Sequence, residues 1–558
     1  MSHMSERALL GPSTVMAAGT VTSRVTGIAR DITMTAALGF FLVSDAFSLG
    51  NSLPNMIYIL ILGGALNAVF IPQLVRKMKD DADDGRAYAD RLITLTATAL
   101  LALSIISIIL APWIVDLYTP SDYPQSEFDL AVAFTRLCLP QIFFYGLYTM
   151  FSQVLNTRGK FGAPMFAPIA NNIVAISTFL LFIYFAGTSA AADGNLTSGE
   201  IWLLGLGTTL GVVIQACILI PVLYRAGYVW HPHFDWRGYG LQKAGKLAAW
   251  TIGLVLVNQL TYLVITRFAT QANINAISSG AAAAGLTTYQ KAHLVFMLPH
   301  SVITVSVITA LLPSLSRVAH SGKLTQVSRD LVGAMRLVSF LIIPVTAMIL
   351  VGGTSVAVLL FDFGAATTDQ ARILGGVISV FMLGMLPFTL FYVLLRGFYS
   401  LEDTRTPFFI TVVFSLVFLG LLVPIFGLLT GEGVQITYIA LCYSVSYWVG
   451  LVIAWIVLAR KLGGLSSLSV IGSIGRMLVV GILSVLVMLF TQSRLNQFFF
   501  GDTNFVNYSD KTTLLIRLVL VILSGAVSYI ALSWLFRVPE ITLAYRVFRE
   551  KLSPKVKS

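Results

Sequence analysis

Fourteen long apolar segments dominate this chain of 558 residues. A membrane-spanning helix needs about 20 consecutive, mostly apolar residues. The segments that meet this length are residues 9–36, 46–75, 91–118, 130–156, 163–187, 200–225, 245–270, 283–315, 331–360, 372–400, 407–429, 434–460, 470–492 and 512–536. The chain is 57% hydrophobic and 11% charged, whereas a soluble protein carries about 25% charged residues. The sequence therefore predicts an all-α polytopic membrane protein with fourteen transmembrane helices, spans 1 to 14 in chain order.

Several of these segments are too long for a straight helix that crosses the bilayer at right angles. We expect them to tilt, or to break at Pro54, Pro140, Pro299 and Pro387. Span 1 carries charged residues and lacks a small-residue cleavage site, which excludes a secretory signal peptide.

Basic residues are concentrated in alternate connections between the spans. The even-to-odd connections are basic, as between spans 2 and 3, whereas the odd-to-even connections contain only Arg372, Arg494 and Lys511. Because cytoplasmic loops carry the excess of Lys and Arg, both termini are predicted to be cytoplasmic. The net charge of +11 then follows from topology, and no nucleic-acid partner is expected. The basic tail, residues 541–558, is expected to lie on anionic lipid.

Two pairs of similar segments indicate an internal repeat. The closing prolines of the first pair, Pro164 and Pro407, are 243 residues apart, and those of the second, Pro72 and Pro313, are 241 apart. An offset of six helices preserves orientation, so the halves are predicted to be parallel repeats, which in transporters usually enclose the substrate. We predict two six-helix lobes, residues 1–228 and 229–461, followed by spans 13 and 14 in residues 462–540.

Span 1 contains the charged stretch TSRVTGIARD, with Arg24, Arg30 and Asp31. An arginine at the centre of a spanning helix costs about 2.5–3.5 kcal/mol on insertion scales. Two interpretations are open. Either the arginines face a wet cavity and bind a ligand, or Arg24 forms a structural pair with Asp31, two turns away, while Arg30 reaches the membrane surface.

The other charged residues within the spans are mainly cationic: Arg136, Arg267, Lys291, His293 and Arg396, with Asp45 at the start of span 2. For Arg136 and Arg396 two interpretations are equally good: a hydrogen bond to a backbone carbonyl of a neighbouring helix, or a role in binding the ligand. Arg267 is expected to reach the surface, and His293 to be a hydrogen-bonded buried histidine. Together the cations favour an anionic ligand, phosphate above all. The chain has no nucleotide-binding or metal-binding motif, so we expect a transporter without cofactor or metal.

Six stretches resemble the MurJ (MviN) lipid II flippase family of the multidrug/oligosaccharidyl-lipid/polysaccharide exporter superfamily. They are SRVTGIARD, SDAF at 44–47, LPN at 53–55, FIPQLV, LLPSLS and DTRTPF at 403–408. The resemblance implies a flippase of the bacterial cytoplasmic membrane, not an enzyme. It would move undecaprenyl-pyrophosphate-linked disaccharide-pentapeptide to the outer leaflet. The implied partners are lipid II, the bilayer and cell-wall synthesis proteins, with the lipid tail in a groove of spans 13 and 14.

The resemblance also assigns residues. Arg24 and Arg30 match two cavity arginines of the family, and Asp45 matches an aspartate at the mouth of span 2. Tyr58 and Leu294 stand where members often have arginine. This departure resembles actinobacterial members, and we expect the chain to be such a member without the pseudokinase extension that some of them carry. The candidate pyrophosphate ligands are Arg24, Arg30, Lys291 and His293, and the candidate cavity or gating residues are Asp31, Asp45, Asn55, Tyr58, Arg136, Arg267 and Arg396.

Three other functions stay open: a flippase for another polyprenyl-linked oligosaccharide, an ion-coupled multidrug exporter, and a scaffold for cell-wall enzymes. We expect transport to be coupled to H⁺, to Na⁺ or to the membrane potential, or to be driven by the consumption of the transported substrate. Asp31, Asp45 and His293 are the candidate proton sites, and oxygen atoms of the second half are the candidate Na⁺ ligands.

Overall fold

The structure is a computed structural model that describes residues 3–63, 83, 85–235, 245–465, 467–502, 506, 508 and 510–541. Every regular element in these residues is helical. Some predicted features lie outside the described residues: the second half of span 2 with Pro72, the basic residues Arg76, Lys77 and Lys79, and nearly all of the basic tail.

The described helices divide between two compact units. The first unit contains Met1–Thr287 and Phe363–Thr367. Its helices are α1 His3–Leu38, α2 Leu42–Tyr58, α3 Arg86–Ile109, α4 Ala111–Tyr118, α5 Gln125–Cys138, α6 Gln141–Thr157, α7 Gly162–Ala186, α8 Ala190–Asp193, α9 Ser198–Cys217, α10 Ile220–Arg225 and α11 Gly245–Ser278. Within it α1 packs along α7, and α2 packs against α5 and α6.

The second unit contains Thr288–Asp362 and Thr368–Ser558. Its helices are α12 Leu286–Pro299, whose first two residues belong to the first unit, α13 Val305–His320, α14 Leu324–Phe361, α15 Thr368–Met382, α16 Met385–Ser400, α17 Arg405–Phe426, α18 Val434–Leu462, α19 Ser467–Phe500 and α20 Lys511–Leu535. The last two helices, spans 13 and 14, pack on each other and on α14.

The helix count is compatible with fourteen spans. Within the described residues, eleven helices are long and apolar enough to cross a membrane, or twelve if α15 and α16, which meet at 47°, form one bent span. Spans 1 and 2 lie outside this count. They are occupied by α1, which carries the charges of TSRVTGIARD, and by α2, whose continuation lies outside the described residues.

The compact units differ from the predicted lobes at one helix. The predicted boundary lies between residues 228 and 229, but α11, which is span 7, belongs to the first unit by its contacts. It packs there against α2 and the π-helical segment that follows it. The limits of the sequence repeat stay a prediction, because packing and sequence similarity define different boundaries.

The expectation of proline breaks is met at two of four sites. The helix breaks between α5 and α6 at Pro140, and between α15 and α16 just before Pro387. At Pro54 and Pro299 the chain stays helical and changes to a π-helix, Ile59–Gly63 after α2 and His300–Thr304 after α12. These segments begin 241 residues apart, the offset that separates Pro72 from Pro313. Spans 2 and 8 therefore share an irregularity at equivalent positions, which supports the repeat.

Aromatic side chains satisfy carbonyls that prolines leave free. A proline inside a helix has no N–H for the carbonyl four residues earlier. Tyr148 Oη donates to the Pro164 carbonyl at 2.8 Å, and Tyr529 Oη donates to that of Phe340 at 3.2 Å. These carbonyls lie four residues before Pro168 and Pro344 respectively. An unsatisfied carbonyl is costly in hydrocarbon, so the bonds allow proline within the spans.

Candidate functional site

Arg30 is held in place by polar side chains of the first unit. Its Nη2 donates to Asp31 Oδ2 at 3.1 Å, and its Nη1 donates to Asn172 Oδ1 of α7 at 3.3 Å. Asp31 and Asn172 are buried, whereas 37% of the Arg30 side chain is exposed. The guanidinium is therefore oriented by its buried side and accessible to an anion on the other.

Asn172 is a residue that the sequence analysis missed. Its Nδ2 donates to the Ser23 carbonyl at 3.2 Å and to Thr26 Oγ1 at 3.0 Å. These two bonds point the amide oxygen toward Arg30. The only signal in the sequence is the pair Asn171–Asn172 within the apolar span 5. A polar pair at that depth indicates a hydrogen-bonding role.

Arg24 is exposed, and within the described part of the chain it forms no hydrogen bond or ion pair. The interpretation that pairs Arg24 with Asp31 is therefore wrong. Asp31 pairs with its sequence neighbour Arg30, because the two side chains converge beside α7. Arg24 and Arg30 are six residues apart, which is about 9 Å along the helix. Of the two, Arg24 is the side chain with fewer contacts to the described residues.

Asp45 is fully enclosed by hydrogen-bond donors of the first unit. Its carboxylate accepts from Asn273 Nδ2 at 2.7 Å and from the backbone N–H groups of Leu286 at 3.0 Å and Thr287 at 2.7 Å. The two N–H groups belong to the start of α12, and an anion is stabilised at a helix N-terminus. Asp45 thus fixes the segment through which the chain leaves the first unit.

Small residues make the Asp45 cluster compact. A Cβ atom on Gly285 would lie 2.1 Å from Asp45 Oδ2, so only glycine fits there. Thr287 Oγ1 adds hydrogen bonds with Ser44 Oγ at 3.0 Å and Ser48 Oγ at 2.9 Å. The segment SDAF, which carries the family resemblance, supplies two members of this cluster. The sequence did not reveal Asn273, Gly285 or Thr287, because nothing in the pattern shows which loop meets Asp45.

Asn55 and Tyr58 lie near the end of α2. Asn55 is exposed. Tyr58 Oη donates to Thr149 Oγ1 of α6 at 2.7 Å, and its ring lies 6.0 Å from that of Tyr145. At the position where family members often carry arginine, this chain therefore has a neutral side chain bonded within its own unit.

The arginines predicted elsewhere in the first unit are not gathered around Arg30. Arg136 on α5 is exposed and has no hydrogen bond or ion pair with a described residue. Arg267 Nη1 donates to the Leu117 carbonyl at 3.4 Å. A bond to a backbone carbonyl, one of the two interpretations of Arg136, is therefore absent among the described contacts. Arg267, which was expected to reach the surface, forms such a bond.

The candidates of the second unit lie on α12 and α16. Lys291 is buried. His293 is half-buried. Its Nε2 lies 3.3 Å from Tyr443 Oη, and its ring stacks on that of Tyr289 with the ring centres 6.1 Å apart, so the histidine is hydrogen-bonded as expected but not fully buried. Arg396 has its Cζ 5.9 Å from the Tyr399 ring centre, and its buried Nε has no partner among the described residues.

The family model for the lipid II flippase MurJ matches residues 34–508. The chain belongs to the MurJ lipid II flippase family. Among curated MurJ relatives, it is 28% identical over 448 residues to the probable lipid II flippase MurJ of Rhizobium tropici, covering 79% of each chain. It is 27% identical over 395 residues to the lipid II flippase MurJ of Burkholderia cenocepacia, covering 70% of this chain and 72% of the relative.

Solved structures show the same fold. A MurJ structure described as the inward closed conformation aligns with a TM-score of 0.71 and 19% identity, over 94% of this chain and 98% of that one. An inward-facing multidrug resistance MATE transporter of the MOP superfamily aligns with a TM-score of 0.57 and 15% identity, over 80% of this chain and 96% of that one. This family member is thus a multi-pass membrane protein that has the fold of these transporters.

Proposed function

We propose that this chain translocates lipid II from the inner to the outer leaflet of the bacterial cytoplasmic membrane by alternating access. The family supports the substrate, and the observation that carries the proposal is the pair of accessible guanidinium groups on α1. Arg30 is oriented by Asp31 and Asn172, and Arg24 has no hydrogen bond or ion pair with any of the described residues. Guanidinium binds phosphate oxygens through two parallel hydrogen bonds, so two such groups suit a pyrophosphate.

The pyrophosphate is the feature of the substrate that Arg24 and Arg30 would bind. Asp31 neutralises the charge of Arg30. The site therefore keeps a net positive charge, and only Arg24 lacks a neighbouring carboxylate among the described residues. Lys291 and His293 are proposed as further pyrophosphate ligands, in place of the family arginine at Leu294. The polyprenyl tail would stay in hydrocarbon along spans 13 and 14 while the sugar-peptide head crosses.

The Asp45 cluster is proposed as a latch that is formed in one state of the cycle and released in another. It holds the first two residues of α12 through hydrogen bonds to buried groups. Releasing them leaves a buried carboxylate and two N–H groups to be satisfied again. The ligand can shift this equilibrium only if it binds the two states with different affinity.

The orientation of the chain in the membrane and the energy source for transport are parts of the same proposal. The basic connections support cytoplasmic termini. The chain carries no nucleotide-binding motif, so a transporter that performs no chemistry of its own would be driven by H⁺, Na⁺, the membrane potential or substrate turnover. Asp31, Asp45 and His293 are the candidate proton sites.

The test uses bacterial cells whose own lipid II flippase can be switched off. Lipid II exposed on the outer leaflet is quantified after expression of this chain or of an empty vector. Restored exposure supports the proposal. If normal membrane levels of the chain restore none, while a polyprenyl-pyrophosphate oligosaccharide without the peptide is exposed instead, the chain is a flippase for that other glycan lipid.

A further inference from the structure

A buried cation in span 14 has no part in the proposed pyrophosphate site. Arg517 lies on α20, six residues after Lys511, where the helix begins, or about 9 Å along the helix axis. Only 4% of the residue is exposed. An arginine within a span is costly unless a partner or the interface compensates for it. Arg517 therefore requires a partner inside the protein.

The protein supplies one weak partner for this guanidinium. Arg517 Nη2 donates to Ser355 Oγ of α14 at 3.4 Å, which is beyond the usual range of about 2.7–3.2 Å. Arg517 Nε and Nη1 are buried and have no hydrogen-bond partner among the described residues. Ser355 is also buried, and its own hydroxyl hydrogen has no acceptor among those residues. Several buried donors of α14 and α20 thus lack an acceptor at one place.

Arg517 forms no ion pair with a described residue. The carboxylates at the adjoining helix ends already have partners: Asp362 pairs with Lys511, Asp369 with Arg372, and Asp510 accepts from the Thr513 N–H. The connection before α20 includes residues 503–505, 507 and 509, which lie outside the described part of the chain and contain neither Asp nor Glu. The positive charge therefore lacks a counter-ion among the described residues, and the rest of that connection supplies none.

The surroundings of the guanidinium are apolar. Leu514, about one turn before Arg517 on α20, belongs to a hydrophobic cluster with Val358 of α14. Val521, about one turn after Arg517, belongs to a second cluster with Met488 of α19. A buried charge between two such clusters is little screened, so leaving it unpaired is costly and an anion beside it is strongly favoured.

The available donors select a small anion. Nη2 belongs to both forks of the guanidinium, one with Nε and one with Nη1, so an anion in either fork lies beside the Ser355 hydroxyl. It would accept from two N–H groups and one O–H. Helices α14 and α20 approach closely here, since a Cβ atom on Gly352 would lie 2.8 Å from Leu518 Cδ1. Three donors between closely packed helices suit a monatomic anion, whereas several oxygens of a phosphate would be buried without donors.

We propose that Arg517 and Ser355 bind one chloride ion between α14 and α20. The uncompensated charge of the guanidinium accounts for the anion, and the small number of donors accounts for its size. Chloride bound there neutralises Arg517 and joins span 9 to span 14. The site shares no residue with the pyrophosphate site of α1. It goes beyond the proposed function, since no step of translocation depends on it.

The test follows thermal unfolding of the purified full chain in detergent as chloride replaces gluconate, an anion too large for the site, at constant ionic strength. A ligand that binds only the folded state raises the unfolding midpoint, so the wild-type midpoint should rise with chloride and saturate. Ser355→Ala removes one of three donors and should need about tenfold more chloride for half of the rise. Arg517→Met keeps the length of the side chain without its charge and should lose the saturable rise. Arg494→Met, which replaces an exposed arginine of α19, is the matched control and should behave as wild type.

Two results would overturn the chloride site. The first is a wild-type midpoint that is the same in chloride and in gluconate. The second is a chloride-dependent rise that Arg517→Met and Ser355→Ala leave unchanged, which would place the ion elsewhere. If Arg517→Met does not fold, wild-type crystals grown in bromide decide: an anomalous scattering peak beside Arg517 Nη2 supports the site, and its absence overturns it. These readouts are independent of whether the chain flips lipid II.

Discussion

The guanidinium of Arg30 donates from Nη1 to the side-chain oxygen of Asn172 across 3.3 Å, joining α1 to α7. Asn172 cannot turn its oxygen away, because its nitrogen is bound to Ser23 and Thr26. We infer that Asn172 positions Arg30 for the pyrophosphate. Asn172→Ala should weaken binding of a soluble polyprenyl-pyrophosphate analogue about tenfold, since a hydrogen bond to a charged group contributes roughly 1.5–3 kcal/mol.

Two further variants distinguish a role of Asn172 in positioning Arg30 from a general role in the stability of α7. Ser177→Ala, on the exposed side of α7, is the control and should bind normally. Asn172→Asp keeps the shape but adds a second carboxylate beside Arg30, so it should weaken pyrophosphate binding more than Asn172→Ala does. Equal binding by wild type and Asn172→Ala would remove Asn172 from the site.

The Asp45 cluster should contribute strongly to stability. Asp45→Ala leaves the Leu286 and Thr287 N–H groups and the Asn273 amide without their acceptor. Because a buried donor without a partner costs about 1–3 kcal/mol, we expect a loss of roughly 3 kcal/mol, measured as a lower midpoint of thermal unfolding in detergent. Asp116→Ala, an exposed aspartate of α4, should change little. A midpoint for Asp45→Ala within error of wild type would contradict the latch.

The bond between Tyr529 and the Phe340 carbonyl should depend on Pro344. Tyr529→Phe is expected to cost about 1 kcal/mol of unfolding free energy, which lies within the range for hydrogen bonds between helices in membranes. In a Pro344→Ala background residue 344 regains its N–H, the carbonyl has a helical partner, and Tyr529→Phe should cost less. The double-mutant cycle from unfolding free energies measures this coupling. Additive effects would show that the tyrosine does not compensate for the proline.

The DTRTPF motif should confer acid-sensitive stability through Asp403. Burial alone would raise the pKa of this carboxyl, but hydrogen bonds from Lys461 and Thr406 outweigh burial, and its pKa lies below the ordinary value. The stabilisation is therefore complete above the unfolded-state value of about 4 and is lost as pH falls through the lower folded-state pKa.

Unfolding midpoints at pH 7, 5, 4 and 3.5 check this prediction. Asp403→Asn should unfold at a lower temperature than wild type at pH 7, and the difference should shrink below about pH 4. Asp193→Asn, at the exposed end of α8, should show no such trend. A difference between wild type and Asp403→Asn that stays constant down to pH 3.5 would mean that the charge of Asp403 does not stabilise the fold.

Much of the fold could be predicted from hydropathy and proline spacing. The length of an apolar segment depends only on local composition, so the spans can be predicted from the sequence. The offset of 241 residues between the repeated prolines recurs as the distance in sequence between the two π-helical segments. The π-helices themselves could not be predicted, because a proline can be accommodated by a break, a bend or an altered hydrogen-bond register. Packing decides which of these forms.

The candidate site was less predictable than the fold. The sequence identified Arg30 and Asp45 as charged residues within or beside a span, which is informative because such residues are rare there. Their partners Asn172 and Asn273 come from helices far away in the sequence. Helical periodicity predicts that Asp31 and Arg24 lie on the same face of α1. The ion pair that forms is instead Arg30–Asp31, and Arg30 is also hydrogen-bonded to Asn172 of the neighbouring helix α7.

The central claim is that the two α1 arginines bind the substrate, and one measurement tests it directly. In cells without their own lipid II flippase, outer-leaflet lipid II is quantified for wild type, for the double variant Arg24→Ala/Arg30→Ala, and for Arg225→Ala, an exposed arginine at the end of α10. Membrane levels are matched by immunoblot. We predict exposure with wild type and Arg225→Ala, and none above background with the double variant. Undiminished exposure with the double variant at normal membrane levels would contradict the account.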